Sequence, residues 1–390
     1  MSAGAQSLPN LAPTRRAVIW AASASAVMSG AAIAPAVPLM DAALSGAATG
    51  WGRVALVLPA LVIMLAGPWI GRQTARMDQR KGFVLALCAL AGFGVLGGFA
   101  PGFVWLLLSR VGLGLATAAV LCFATAAIAA LYQGAERAQV INRQSAINTF
   151  GGVVFVLLGG LLSQMGWRVP FVLYLLALPV AFFASGFDWK PALRQGTVRP
   201  DLAPLKRPLA TIALAMTAFY LIPVQAPYMP ALSAAPALAG LTIASATLVS
   251  GITSWKIAAL MEAVPERSVE VAAIGAVILG LVEFGLGASV AALLIAAMLL
   301  GAGFGVLLPL TVRRIMAAGR PETANATAGL IASALYAGQV SASALALLVS
   351  GGGAGAPFIA LAAGLALVVF LYAKRDRLRP WGRWIAQNIA

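Results

Sequence analysis

Apolar residues fall in runs of bilayer-crossing length along nearly the whole chain, parted by short polar breaks. A helix needs about 20 apolar residues to cross the hydrocarbon core, at about 1.5 Å per residue. Twelve segments meet that length: 17–38, 54–71, 83–100, 103–131, 145–165, 168–187, 208–230, 236–258, 271–287, 289–312, 327–349 and 354–373. The stretches 83–131 and 271–312 are too long for single crossings. They are therefore split at Pro101-Gly102 and near Gly285–Gly287. The pattern predicts an all-α integral membrane protein of twelve transmembrane helices.

Composition sharpens this picture. Apolar types make up 61% and charged types 9% of the 390 residues, against roughly 45–50% and 25% in soluble domains. A soluble enzyme would expose more apolar surface than water tolerates. The chain has no histidine, which excludes Ser-His-Asp catalysis, histidine metal sites and histidine proton relays. Cys88 and Cys122 both sit inside apolar runs, so neither a disulfide framework nor a CxxC metal site is available. No cofactor or metal is expected.

The net charge of +15 does not point to nucleic acid, because no basic helix or aromatic-interleaved basic groove accompanies it. With a cytoplasmic N-terminus, 23 of the 26 Lys and Arg fall on cytoplasmic segments, as the positive-inside rule requires. The exceptions are Arg53, Arg110 and Arg168. This bias predicts an even number of spans with both termini cytoplasmic. Arg15-Arg16 resembles an export signal, but the run after it is long enough to span and eleven more follow, so a retained first helix is expected. Trp381 and Trp384, among basic residues after the last span, read as an interfacial anchor.

Residues 188–207 form the longest polar stretch and hold Pro191, Pro200 and Pro204. They divide the chain into six-helix bundles at 1–187 and 208–390. A weak repeat follows the same division. Arg72-Gln-Thr-Ala-Arg76-Met77-Asp78 pairs with Lys256-Ile-Ala-Ala-Leu260-Met261-Glu262, and Gly112-Leu-Gly114 pairs with Gly303-Phe-Gly305, each about 185–190 residues on. Such repeats suit a transporter that rocks around a central site.

Several motifs lie in order on this frame: Ala34-Pro35-Ala-Val-Pro38, Gly71-Arg72 through Arg80-Lys81, Arg110-Val-Gly-Leu-Gly114, Gly166-Trp167-Arg168-Val-Pro170-Phe171, Tyr220 through Pro227, and Gly301 through Gly305. Together the chain resembles the major facilitator superfamily over nearly its whole length. The resemblance implies two six-helix bundles and a loop after the second helix that gates the cytoplasmic side. In that loop Ala75 stands where the family has an aspartate, and Asp78 stands at the later glycine. The fifth span keeps Gly159 and Gly160 but lacks the family's antiporter Gly-Pro.

A charge at a helix centre costs about 2.5–3.5 kcal/mol on insertion scales, so intramembrane charges are functional candidates. Asp41, Arg110 and Glu283 are the ionisable residues placed in spans away from the cytoplasmic edge, and they are assigned to transport and coupling. Tyr220, Gln225 and Tyr228 surround the prolines of span seven, and Tyr336 and Gln339 belong to span eleven. These five are assigned to the substrate cavity. Gly71, Arg72, Arg76, Asp78 and Arg80 are assigned to the cytoplasmic gate. The glycines Gly159, Gly160, Gly301, Gly303 and Gly305 are read as close helix contacts.

The expected activity is secondary active transport of a small organic molecule, most simply proton-coupled efflux, by a monomer in a bacterial inner membrane. No phosphate-binding Gly-x-x-x-x-Gly-Lys-Ser/Thr loop exists to power it with ATP. The alternative is an organic-anion symporter or uniporter with Arg110 as the anion contact. A sensor would need a soluble output domain and an enzyme would need clustered catalytic groups; neither is legible.

Overall fold

The computed structural model describes residues 12–45, 50–186, 201–287, 289–318 and 323–370, and every regular element among them is helical. The backbone explains why. In hydrocarbon each N–H and C=O must be satisfied within the protein, and a helix does this within one segment.

The elements are α1 (Ala12–Ala31), α2 (Val37–Ser45), α3 (Trp51–Thr74), α4 (Gln79–Leu96), α5 (Phe103–Leu131), α6 (Gly134–Ser163), α7 (Ala177–Ala184), α8 (Lys206–Gln225), α9 (Pro230–Ser233), α10 (Pro236–Ala263), α11 (Glu266–Leu286), α12 (Val290–Ala318) and α13 (Ala324–Leu348), then α14 (Ala356–Phe370). Among the described residues, ten helical segments are long and apolar enough to cross a membrane. Two shorter apolar helices, Val169–Ala184 and Ala356–Phe370, stand where the sixth and twelfth spans are expected.

The first expected span is broken. A 3-10 turn at Ala34–Ala36 separates α1 from α2, with Pro35 inside it, and the chain then runs on to Ser45, beyond the expected end at residue 38. Several helices outrun their apolar cores: α6 starts at Gly134 and α12 ends at Ala318. Helical hydrogen bonding continues into polar surroundings where hydropathy has already fallen. The expected breaks are present at Pro101-Gly102 and at Gly287, whose φ of 59° closes α11 in the left-handed region.

Elements before residue 187 pack chiefly on one another (α3 and α4 on α5, α1 on α6), as do those after 201 (α10 and α11 on α12, α8 on α13). The two sets meet along α6–α10 and α3–α13. The starts of α1, α4, α6, α8, α11 and α13 share one face, here the N-terminal face; α2, the start of α3 and the end of α8 lie toward the opposite face. Most of the expected linker 188–207, and the tail with Trp381 and Trp384, lie outside the described residues.

Small residues set how closely these helices approach. A Cβ on Gly301 would stand 2.2 Å from the Ala246 carbonyl oxygen, so α12 and α10 are in backbone contact there. Gly301→Val is therefore expected to cost about 1–3 kcal/mol by overpacking. Thermal unfolding in detergent should show a lowered Tm; an unchanged Tm contradicts this contact.

Candidate functional site

A cavity of about 340 Å³ lies between the two sets of helices. Ser23, Ser29 and Gly30 of α1, Leu56 and Ile63 of α3, Thr117 of α5 and Asn148 of α6 line one side. Met216, Phe219 and Tyr220 of α8, Thr247 of α10, and Tyr336 and Gln339 of α13 line the other. The wall residues contribute hydroxyls and amides but no Asp, Glu, Lys or Arg. Phe219 is stacked on Phe304, with ring centroids 4.5 Å apart. Tyr220 reaches across to α1, its hydroxyl oxygen 2.9 Å from where a Cβ on Gly30 would be.

Toward the opposite face the cavity gives way to a buried polar cluster that joins the two sets. Asp41 on α2 and Gln225 at the end of α8 are each 1% exposed, and Arg53 on α3 is 7% exposed. Tyr228 donates its hydroxyl to Asp41. The Gly52 amide donates to the same carboxylate at 2.9 Å. Arg53 Nε donates to Gln225 Oε1 at 2.9 Å, and its guanidinium lies 3.8 Å from the centre of the Tyr228 ring. Gln225 in turn donates to the Ala354 carbonyl at 2.9 Å, and the Ser343 hydroxyl to the Arg53 carbonyl at 3.4 Å.

Local sequence builds this cluster. Pro35 and the 3-10 turn redirect α2 so that Asp41 faces the start of α3. The approach requires glycine at position 52, where a Cβ would meet the Val37 carbonyl oxygen at 2.9 Å and Asp41 Oδ1 at 3.2 Å. A charge-assisted hydrogen bond contributes about 1.5–3 kcal/mol when its partners are already buried, and a desolvated cation–π contact about 2 kcal/mol. Next to the cluster, Gly160 and Gly240 bring α6 and α10 together; a Cβ on Gly160 would be 2.9 Å from the Pro236 carbonyl oxygen.

The N-terminal face is held differently. Its ion pairs stay within one set: Arg16 with Glu136, and Arg314 with Glu266 and Glu270 at 2.7 Å. Arg72, Arg76, Asp78 and Arg80 are exposed, and Asp78 caps α4 by accepting the Lys81 amide at 2.8 Å. Gly71 is packed near Cys122.

The structure divides the five residues expected in the cavity. Tyr220, Tyr336 and Gln339 line it, while Gln225 and Tyr228 belong to the cluster with Asp41. Arg110 is fully buried but turns away from the cavity into the first set. It donates to Tyr174 Oη at 3.0 Å and to the Gly94 carbonyl at 3.1 Å, and Tyr174 donates to the Ser29 carbonyl at 3.1 Å. The guanidinium also lies 5.0 Å from the Phe171 ring centre. Glu283 is half-buried on α11, which packs on α12 and contributes no residue to the cavity wall.

Arg53, Ser343, Thr117 and Asn148 were not among the expected site residues. Arg53 had a signal, as an exception to the positive-inside bias. Among the described residues no cluster of three metal-ligating side chains occurs.

A family model for the major facilitator superfamily matches residues 19–207. No curated protein matches by sequence. The nucleoside transporter NupG has a similar structure, with 11% identity, TM-score 0.73, and coverage of 94% of this chain and 99% of that one. The D-xylose–proton symporter matches with 12% identity, TM-score 0.72, and coverage of 91% and 97%. A bacterial homologue of the human lysosomal transporter Spinster, inward-facing and occupied, matches with 18% identity, TM-score 0.70, and coverage of 95% and 98%. At these identities the likeness is one of fold.

Tyr174→Phe removes one acceptor of a buried guanidinium and its link to α1. It is expected to cost about 1–3 kcal/mol, read as a lowered Tm in detergent. Because Arg110 does not face the cavity, ligand affinity should stay within about twofold; a large affinity loss at unchanged Tm contradicts that placement.

Proposed function

We propose that this chain, a membrane transporter of the major facilitator superfamily by the sequence of its first half and the fold of the whole, moves a small organic molecule by alternating access. A transporter, and not an enzyme, is what that family and this fold denote. The observation that carries the mechanism is the cavity shared by both sets of helices, with the Asp41–Tyr228–Arg53–Gln225 latch binding those sets together at one end of it. The positive-inside bias makes the latched face external. The arrangement is then open toward the cytoplasm, and breaking the latch while closing the loop of Arg72, Arg76, Asp78 and Arg80 gives the opposite state. The two bundles, 1–187 and 208–390, are the moving bodies, and residues 188–207 connect them.

Proton-coupled efflux is the proposed direction, across the inner membrane of a bacterium and by a monomer. Asp41 is the proposed proton site. Of the three intramembrane candidates it alone is a carboxylate held in contacts between the two bundles. Protonation removes the charge that Tyr228 and the Gly52 amide satisfy and so loosens the latch. One charge moving down 100 mV supplies about 2.3 kcal/mol, enough for a concentration ratio of about 50-fold. The organic-anion alternative loses its expected contact, because Arg110 turns away from the cavity.

A growth-inhibition panel with and without the chain supplies a transported compound, and inside-out vesicles with an acidified lumen then test the coupling. Wild-type vesicles should accumulate the compound, and collapsing the pH gradient should abolish accumulation. Asp41→Asn should lose gradient-driven accumulation at least tenfold while retaining exchange. Accumulation indifferent to the gradient contradicts coupling, and full coupling in Asp41→Asn contradicts the proton site.

A further inference from the structure

We infer that the central cavity selects an uncharged amphipathic molecule: an apolar body bearing at least one amide or hydroxyl group that both donates and accepts hydrogen bonds. This rests on the transport reading above and adds the chemical class of its cargo.

Charge is the first argument. Among the described residues no Asp, Glu, Lys or Arg lines the cavity. The charged groups nearby in the fold are committed elsewhere: Asp41 and Arg53 to the latch, and Arg110 to Tyr174 and the Gly94 carbonyl. An ion entering would lose hydration and meet no opposite charge to offset it. An uncharged molecule meets no such penalty.

Unused hydrogen-bonding capacity is the second. Helical threonines here habitually return their hydroxyl to the carbonyl four residues earlier: Thr125 to Leu121, Thr217 to Ala213, Thr247 to Ile243 and Thr311 to Leu307. Thr117 does not. It is 1% exposed, lines the cavity, and its hydroxyl has no partner. Asn148, on the adjoining stretch of wall, has an unpartnered Oδ1. An unsatisfied buried polar group costs about 1–3 kcal/mol, so a ligand that satisfies these groups recovers that cost on binding. On the facing wall Gln339 presents an amide and Tyr220 and Tyr336 present phenols.

Shape is the third. The remaining wall is apolar, with Leu56, Ile63, Val156, Met216, Phe219 and Ile243 among its side chains, which suits an apolar body better than a polyol. The volume of about 340 Å³ lies at the small end of the usual 300–1,000 Å³ for ligand sites.

The test uses the full chain, purified in detergent, with Cys88→Ser and Cys122→Ser and one added cysteine. Thr117→Cys probes one wall and Gln339→Cys the other, so that one failed variant leaves a second. Met77→Cys on the exposed loop is the reference. Each is reacted with three methanethiosulfonates: methyl (neutral), sulfonatoethyl (anionic) and trimethylammonioethyl (cationic). Rates are normalised to the reference. The neutral reagent should be favoured at least tenfold over both ions at the cavity positions. A preference below tenfold against either ion overturns the uncharged class and leaves the transport reading intact. No reaction with any reagent at either position means that no accessible cavity exists, and it overturns the transport reading as well.

Discussion

A charge stays in the interior of a membrane protein only where the fold satisfies it. Three arginines escape the charge bias of this chain: Arg53 and Arg110 are buried, Arg168 is exposed, and each is held by a different local device. Arg53 spans Gln225 and the Tyr228 ring. Arg110 is clasped by Tyr174, the Gly94 carbonyl and the Phe171 ring. Arg168 donates to the Ala100 carbonyl and lies over Trp167. Two of the devices stay within one set of helices and brace it. The Arg53 device crosses between sets, so its formation is tied to their relative position.

That asymmetry gives the molecule a direction. Toward the N-terminal face, the ion pairs of Arg16 and Arg314 bind helices within each set. Toward the opposite face, buried hydrogen bonds and the Gly160–Gly240 approach fix one set against the other. On the proposed alternating-access reading, contacts within each set preserve the moving bodies, and contacts between them select the state. The exposed loop of Arg72, Arg76 and Arg80 offers the second face a set of charges that this state does not use between the bundles. In Asp78 the chain departs from the family pattern, and in this state that carboxylate serves as a helix cap.

Much of the fold was legible because hydropathy and bilayer thickness are both one-dimensional. Phe103–Leu131 begins and ends where its apolar run does, and Pro101-Gly102 and Gly287 break the chain where unbroken helices would overrun the membrane. Boundaries outside the hydrocarbon were less legible, since α6 continues from Gly134 without an apolar signature. The site was legible in its residue types but not in its grouping. Tyr220 and Gln225 are five residues apart on α8, yet one faces the cavity and the other the latch, and only the neighbouring helices decide which. Arg53 was visible as an exception to the charge rule, but no local pattern linked it to Gln225, 172 positions away. Thr117 carried no sequence signal, because its distinction is a hydrogen bond it does not make.

The central claim is that the latch marks one of two states of a single rocking machine. Paired spin labels measure this directly. One pair joins Ala42 to Ala234 across the latched face, and a second joins Met77 to Trp255 across the N-terminal face. Distance distributions recorded by double electron–electron resonance in lipid nanodiscs should show two populations for each pair, shifting in opposite senses when Asp41→Asn is introduced: longer across the latch, shorter across the other face. A single distance at both faces, unmoved by that substitution, contradicts the account.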